Sequence, residues 1–179
     1  MIIGILLIAS LKYKVKVLGS FLTPIALILM LFALALPKEI FPLAPVLKSF
    51  WHPFHVIFAF LGNAIFTLTF CCGVMYLIQE HQLKSKRIGA ITKRLPPLNL
   101  LDDLSYQSLK FGFPLLTLGI ITGAVWAEYA WGRYWNWDPK ETWSLITWLL
   151  YAALLHQRLT VGWRGRKAAI MAVVGFLAV

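Results

Sequence analysis

Twenty consecutive residues, Val17 to Leu36, carry no charge, and neither do the twenty-four from His55 to Ile78. About 20 apolar residues cross the hydrocarbon core of a bilayer, so runs like these commit the chain to lipid as its main solvent. The whole sequence agrees, with 60% hydrophobic and 13% charged residues, against about 45–50% and about 25% in soluble domains. In lipid every backbone polar group must be satisfied within the protein, and a helix does this inside one segment. The expected fold is therefore all-α: an integral membrane protein built as a polytopic transmembrane helix bundle.

The expected spans, within one membrane domain covering 1–179, are 1–11 (partial), 17–36, 55–78, 111–128, 142–158 and 168–179 (partial). The first run is too short for a full span and lacks the small-residue cleavage site of a signal peptide. The last run stops where mid-membrane would fall. Both ends read as cut from a larger domain. Pro24 lies inside the second run, where it would kink a helix that membranes tolerate.

Charge gives the orientation. Of the 17 Lys and Arg, thirteen fall on one set of alternate loops with three acids, a net of +10; the other side holds four bases and four acids. That asymmetry is the positive-inside rule. It accounts for the basic balance without a nucleic-acid partner.

On the outer side, of zero net charge, lies a loop at 129–143, whose core reads Trp131-Gly132-Arg133-Tyr134-Trp135-Asn136-Trp137-Asp138-Pro139-Lys140-Glu141-Thr142-Trp143. Four of the eight tryptophans fall in these thirteen residues. An interfacial aromatic belt is one reading, since Trp and Tyr favour headgroup level. A belt asks only for scattered aromatics, whereas here Trp135 and Trp137 alternate ahead of a helix start: Asp138 as N-cap, Pro139 at the first position and Glu141 closing a capping box. The second reading is a platform for a flat, polarisable ligand.

Two of the four histidines stand out. His55 sits at the outer mouth of its span, with His52 three residues earlier. His156 lies about 17 residues below Pro139, or about 25 Å along a helix, within the inner part of a core about 30 Å thick. An imidazole at that depth is functional by default, unless it bonds a neighbouring helix or reaches the inner headgroups beside Arg158. Neutral imidazole is a good axial ligand for haem iron. His81 lies among polar residues and reads as solvated. Cys71 and Cys72, adjacent within an apolar span, can form neither a disulfide framework nor a metal knuckle and read as small hydrophobes. No phosphate-binding loop, HExxH motif or serine elbow is present, so hydrolase and nucleotide-driven chemistry have no support.

The aromatic loop resembles the tryptophan-rich "WWD" signature of haem-handling proteins. Its Asp-Pro-Lys-Glu-Thr-Trp continuation is similar to the CcsA/ResC type, which serves cytochrome c maturation by the two-component (system II) route. The resemblance extends to Leu95-Pro96-Pro97-Leu98, Gly112 to Thr117, Gly119 to Trp126, Trp51 to Val56 and Tyr151 to His156. It implies haem b as ligand and substrate, held against Trp131, Trp135, Trp137, Asp138 and Trp143. His55 would be an outer axial ligand and His156 an intramembrane one. The second outer histidine of the family falls after the following span, beyond Val179. A ResB-type membrane subunit is the implied partner and apocytochrome c, with its Cys-x-x-Cys-His segment, the implied acceptor. The pair would act as a cytochrome c synthase (haem lyase), with this chain inactive alone. The membrane would be a bacterial cytoplasmic membrane or a thylakoid, with the aromatic loop extracytoplasmic. A WWD-type haem exporter or chaperone loader is the nearest alternative, although that branch continues differently after the aspartate. A non-haem transporter or a passive scaffold is the other.

Overall fold

The computed structural model describes residues 17–36, 45–86 and 95–178. The expected partial span 1–11 lies outside them, as do Pro37, Pro42, Lys93 and Arg94. Among the described residues five α-helices follow one another: α1 (Val17–Ala35), α2 (Trp51–Lys84), α3 (Leu98–Trp131), α4 (Pro139–His156) and α5 (Arg166–Leu177). A single 3-10 turn, Pro45–Lys48, precedes α2, and a π-helical turn, Gln157–Val161, follows α4. No strand occurs among the described residues. Among the described residues two helices, α2 and α3, are long and apolar enough to cross a membrane.

Both long helices outrun the spans expected for them. Each has 34 residues, about 51 Å at 1.5 Å per residue. The segment Gln79 to Lys110 reads as polar in sequence, yet Gln79–Lys84 continues α2 and Leu98–Lys110 opens α3. The reason is an amphipathic face: Leu101, Leu104, Ser105, Ser108 and Leu109 are all buried, the i, i+3, i+4, i+7, i+8 spacing of a helix stripe. Leu101 and Leu104 pack with Leu68, Cys71, Cys72 and Met75 of α2. The two cysteines are free thiols in that cluster, filling the role of small apolar side chains.

Glycines let α2 and α3 approach backbone to backbone. A Cβ on Gly62 would lie 3.2 Å from the Leu116 nitrogen, and one on Gly119 would lie 3.2 Å from the Ala59 nitrogen. Small residues at helix contacts are how membrane bundles gain packing where lipid offers no hydrophobic contrast.

At the centre, Phe66 of α2 and Tyr151 of α4 lie face to face, ring centroids 3.7 Å apart and 6° from parallel. Both are fully buried. Gly112 backs the phenyl ring and Gly175 backs the phenol, so four elements close on one aromatic pair. Polar ties add direction: Trp148 Nε1 donates to Thr117 Oγ1 at 2.9 Å, and Thr147 Oγ1 donates to the Ala178 carbonyl at 3.0 Å. At the opposite end from the aromatic loop, Arg158 grips Asp102 with two bonds of 2.9 Å. The Asp102 carboxylate also accepts from the Gly165 amide at 3.0 Å.

Candidate functional site

The aromatic loop is short, because α3 and α4 both carry into it. Gly132, in the left-handed conformation (φ 70°), ends α3, and its amide donates to the Glu128 carbonyl. Asp138 is the N-cap of α4, its side chain accepting from the Glu141 amide at 2.8 Å. The expected capping box is altered on its return leg: Glu141 Oε2 accepts from the Asn136 amide at 2.6 Å, two residues before the cap. Asn136 Oδ1 in turn accepts from Arg133 Nη1 at 2.9 Å. The longer reach ties down the loop between the tryptophans as well as the helix end. Trp137 pays a conformational cost in this arrangement, with φ 56°, a left-handed backbone that a bulky side chain rarely adopts.

Below the loop, α2, α3, α4 and the end of α5 enclose a cavity of about 880 Å³, open at one side and lined in part by His55, Trp131, Trp135, Asp138 and Trp143. This is at the upper end of the range for small-molecule sites, about 300–1,000 Å³. Five of the seven residues singled out in the sequence therefore meet in one place. Trp137 lies outside the lining, exposed, and meets Trp135 edge-on at 5.8 Å between centroids. His156 also lies outside the cavity lining, at the last position of α4 and exposed. Its helix face carries the exposed Leu149 one heptad earlier.

His55 is the best-defined polar group of the cavity. Its Nδ1 lies 2.8 Å from the Gly119 carbonyl oxygen. A carbonyl only accepts, so the proton is on Nδ1, and in the neutral ring the lone pair is then on Nε2. This is the arrangement by which a second contact fixes the tautomer of a metal-binding imidazole. No hydrogen bond among the described residues engages Nε2. The Trp135 Nε1 is buried and without a partner among the described residues, an unsatisfied indole donor in a residue that lines the cavity.

Trp126, Tyr134, Asn63 and Thr147, none of them among the site residues expected from the sequence, also line the cavity. A signal exists on α2, where His55, Ala59 and Asn63 share the i, i+4, i+8 face. On α3 the corresponding face, Gly119, Gly123 and Trp126, follows i, i+4, i+7. No group of three or more His, Cys, Asp or Glu that would hold a bare metal ion occurs among the described residues. The cavity brings one imidazole, His55, together with aromatic walls and the carboxylates of Asp138 and Glu141, each of which already accepts from a backbone amide.

The chain matches the protein family described as cytochrome C assembly protein over residues 1–179. It is 46% identical over 168 residues to the cytochrome c biogenesis protein CcsA of Chlamydomonas reinhardtii, covering 92% of this chain and 46% of that protein. For the protein of the same name from Guillardia theta the identity is 41% over 190 residues, covering 94% of this chain and 63% of the relative. For that of Microcystis aeruginosa it is 39% over 221 residues, covering 97% and 67%. The chain thus spans about half to two thirds of the length of these relatives. No solved structure matches it.

Proposed function

The chain belongs to the cytochrome c assembly protein family, and from that premise we propose that it binds haem b at the His55 cavity and presents it for attachment to apocytochrome c. The observation that carries this reading is the His55 contact with the Gly119 carbonyl, which leaves Nε2 as a ready axial donor beside an aromatic wall.

Haem supplies the iron that takes imidazole and the vinyl groups that take the thiols of a Cys-x-x-Cys-His segment. The protein supplies binding, orientation and a dry surface. His55 would hold the iron. Trp131, Trp135 and Trp143 would flank the macrocycle. Asp138 acts indirectly, because its carboxylate is occupied by the Glu141 amide and so fixes the loop from which the tryptophans project.

The bundle is read as polytopic, with the aromatic loop extracytoplasmic, on the strength of the charge asymmetry between alternate loops. His156 would be a second, intramembrane ligand, facing a ResB-type subunit. Its exposure on an apolar helix face supports this, since an imidazole directed at hydrocarbon without a partner is costly. Haem would come in near His156 and be held at the outer cavity, and the two-subunit assembly would act as the synthase.

The test is an absorbance spectrum of the intact protein purified in detergent with its partner. A b-type Soret band that changes in His55→Ala is expected. A transporter or scaffold whose tryptophans only anchor it would be colourless under oxidising and reducing conditions alike, and that result would end the proposal.

A further inference from the structure

We infer that Trp126 is the positioning residue of this site: its indole, locked from three sides, holds the His55 ring in the one plane that keeps Nε2 available to an iron. The inference rests on the reading of His55 as a haem ligand and adds the residue that sets its geometry.

Three positions on one face of α3 form a cradle for the imidazole. Gly119 supplies the carbonyl that accepts from Nδ1 at 2.8 Å. Gly123 supplies space: a Cβ there would lie 2.7 Å from Nδ1 and 2.8 Å from Cε1 of the ring. Trp126 supplies the wall, its indole 14° from parallel to the imidazole with centroids 6.0 Å apart.

A single hydrogen bond leaves an imidazole able to swing about the Nδ1···O direction. A parallel wall on one side and a glycine notch below remove that freedom. The wall serves only if it is itself immobile, and Trp126 is. Its Nε1 donates to the Val46 carbonyl at 3.0 Å, which ties it to the 3-10 turn before α2. His52 packs on the indole at 5.0 Å, and Trp131 meets it edge-on at 5.0 Å. Trp131 also lines the cavity, so one indole sets both the ligand ring and the first tryptophan of the platform. Outer-shell partners of metal-bound histidines commonly carry 10–100-fold in affinity.

The experiment uses the intact protein purified from membranes and compares Trp126→Phe, Trp126→Ala, Gly123→Ala and His55→Ala with the parent. Trp126→Ala should retain about tenfold less haem, with a shifted Soret band that added imidazole restores, whereas Trp126→Phe, which keeps a flat wall but loses the Nε1–Val46 bond, falls between that variant and the parent. Gly123→Ala should give the same spectral change with the indole intact, which separates ring position from loss of a bulky side chain. In haem-free protein labelled with ¹⁵N-histidine, His55 should be a single Nδ1–H tautomer in the parent and averaged in Trp126→Ala. Parent-like spectra in Gly123→Ala and Trp126→Ala, with His55→Ala altered, would overturn the inference. A colourless parent would instead overturn the haem reading, and the ¹⁵N measurement would still decide whether Trp126 orders the ring.

Discussion

Arg158 and Asp102, 56 residues apart in sequence, meet through two near-equal hydrogen bonds of 2.9 Å, with their side chains 5% and 11% exposed. The guanidinium also lies 4.8 Å from the centre of the Tyr106 ring, and the carboxylate takes the Gly165 amide. The cluster fastens the π-helical turn after α4 and the residue before α5 to the first turns of α3.

Removing one partner of such a pair strands the other charge. Arg158→Ala should lower stability by about 3–5 kcal/mol, seen as a lower unfolding midpoint in detergent. Arg158→Gln combined with Asp102→Asn should be milder than either single change. Arg158→Lys should recover little, because an ammonium lacks the planar fork. A double variant as unstable as the sum of the singles would show that the two residues act independently.

The central stack depends on its glycines. A Cβ at Gly112 would sit 2.9 Å from the Phe66 ring, so Gly112→Ala must push that ring against Tyr151. A loss of about 1–3 kcal/mol is expected from overpacking. Gly132→Ala meets no atom within 4 Å and should leave the stack untouched, its cost confined to the left-handed backbone. Equal effects of the two changes on the near-ultraviolet signal of the core aromatics would contradict this.

Asp138 is a cap before it is anything else. Asp138→Ala should cost about 0.5–2 kcal/mol and lower haem retention through a looser loop, while Asp138→Asn keeps both. Limited proteolysis at Arg133 reports the loosening directly. If Asp138→Asn lost haem with the loop still protected, the carboxylate would have a direct role.

His156 and His55 belong to different places in the fold, so their effects should separate. His156→Ala should reduce the haem that copurifies, and added imidazole should partly restore it, while the His55-dependent part of the spectrum is unchanged. Unaltered haem content in His156→Ala would remove that residue from the mechanism.

Local features of this chain are legible residue by residue. The helix start at Asp138-Pro139 and the long apolar runs follow from side-chain chemistry within a turn or two, where the interacting groups are neighbours in sequence. The same local logic misses Leu98–Lys110, whose polar composition hides a buried leucine stripe until α2 offers it a partner. It also places Glu141 in a reciprocal box, whereas in the fold that carboxylate accepts from the Asn136 amide, two residues further back.

What the sequence determined by itself was the type of structure and the cast: long apolar helices, an excess of basic residues, a tryptophan-rich turn and two histidines. Which residues meet was decided by the tertiary structure. His55 finds Gly119 across 64 residues and Trp126 across 71, while His156 finds neither. Periodicity encodes which face of a helix is buried but not what it is buried against. That depends on how closely two backbones can approach, and here glycines at the α2–α3 contact set the distance.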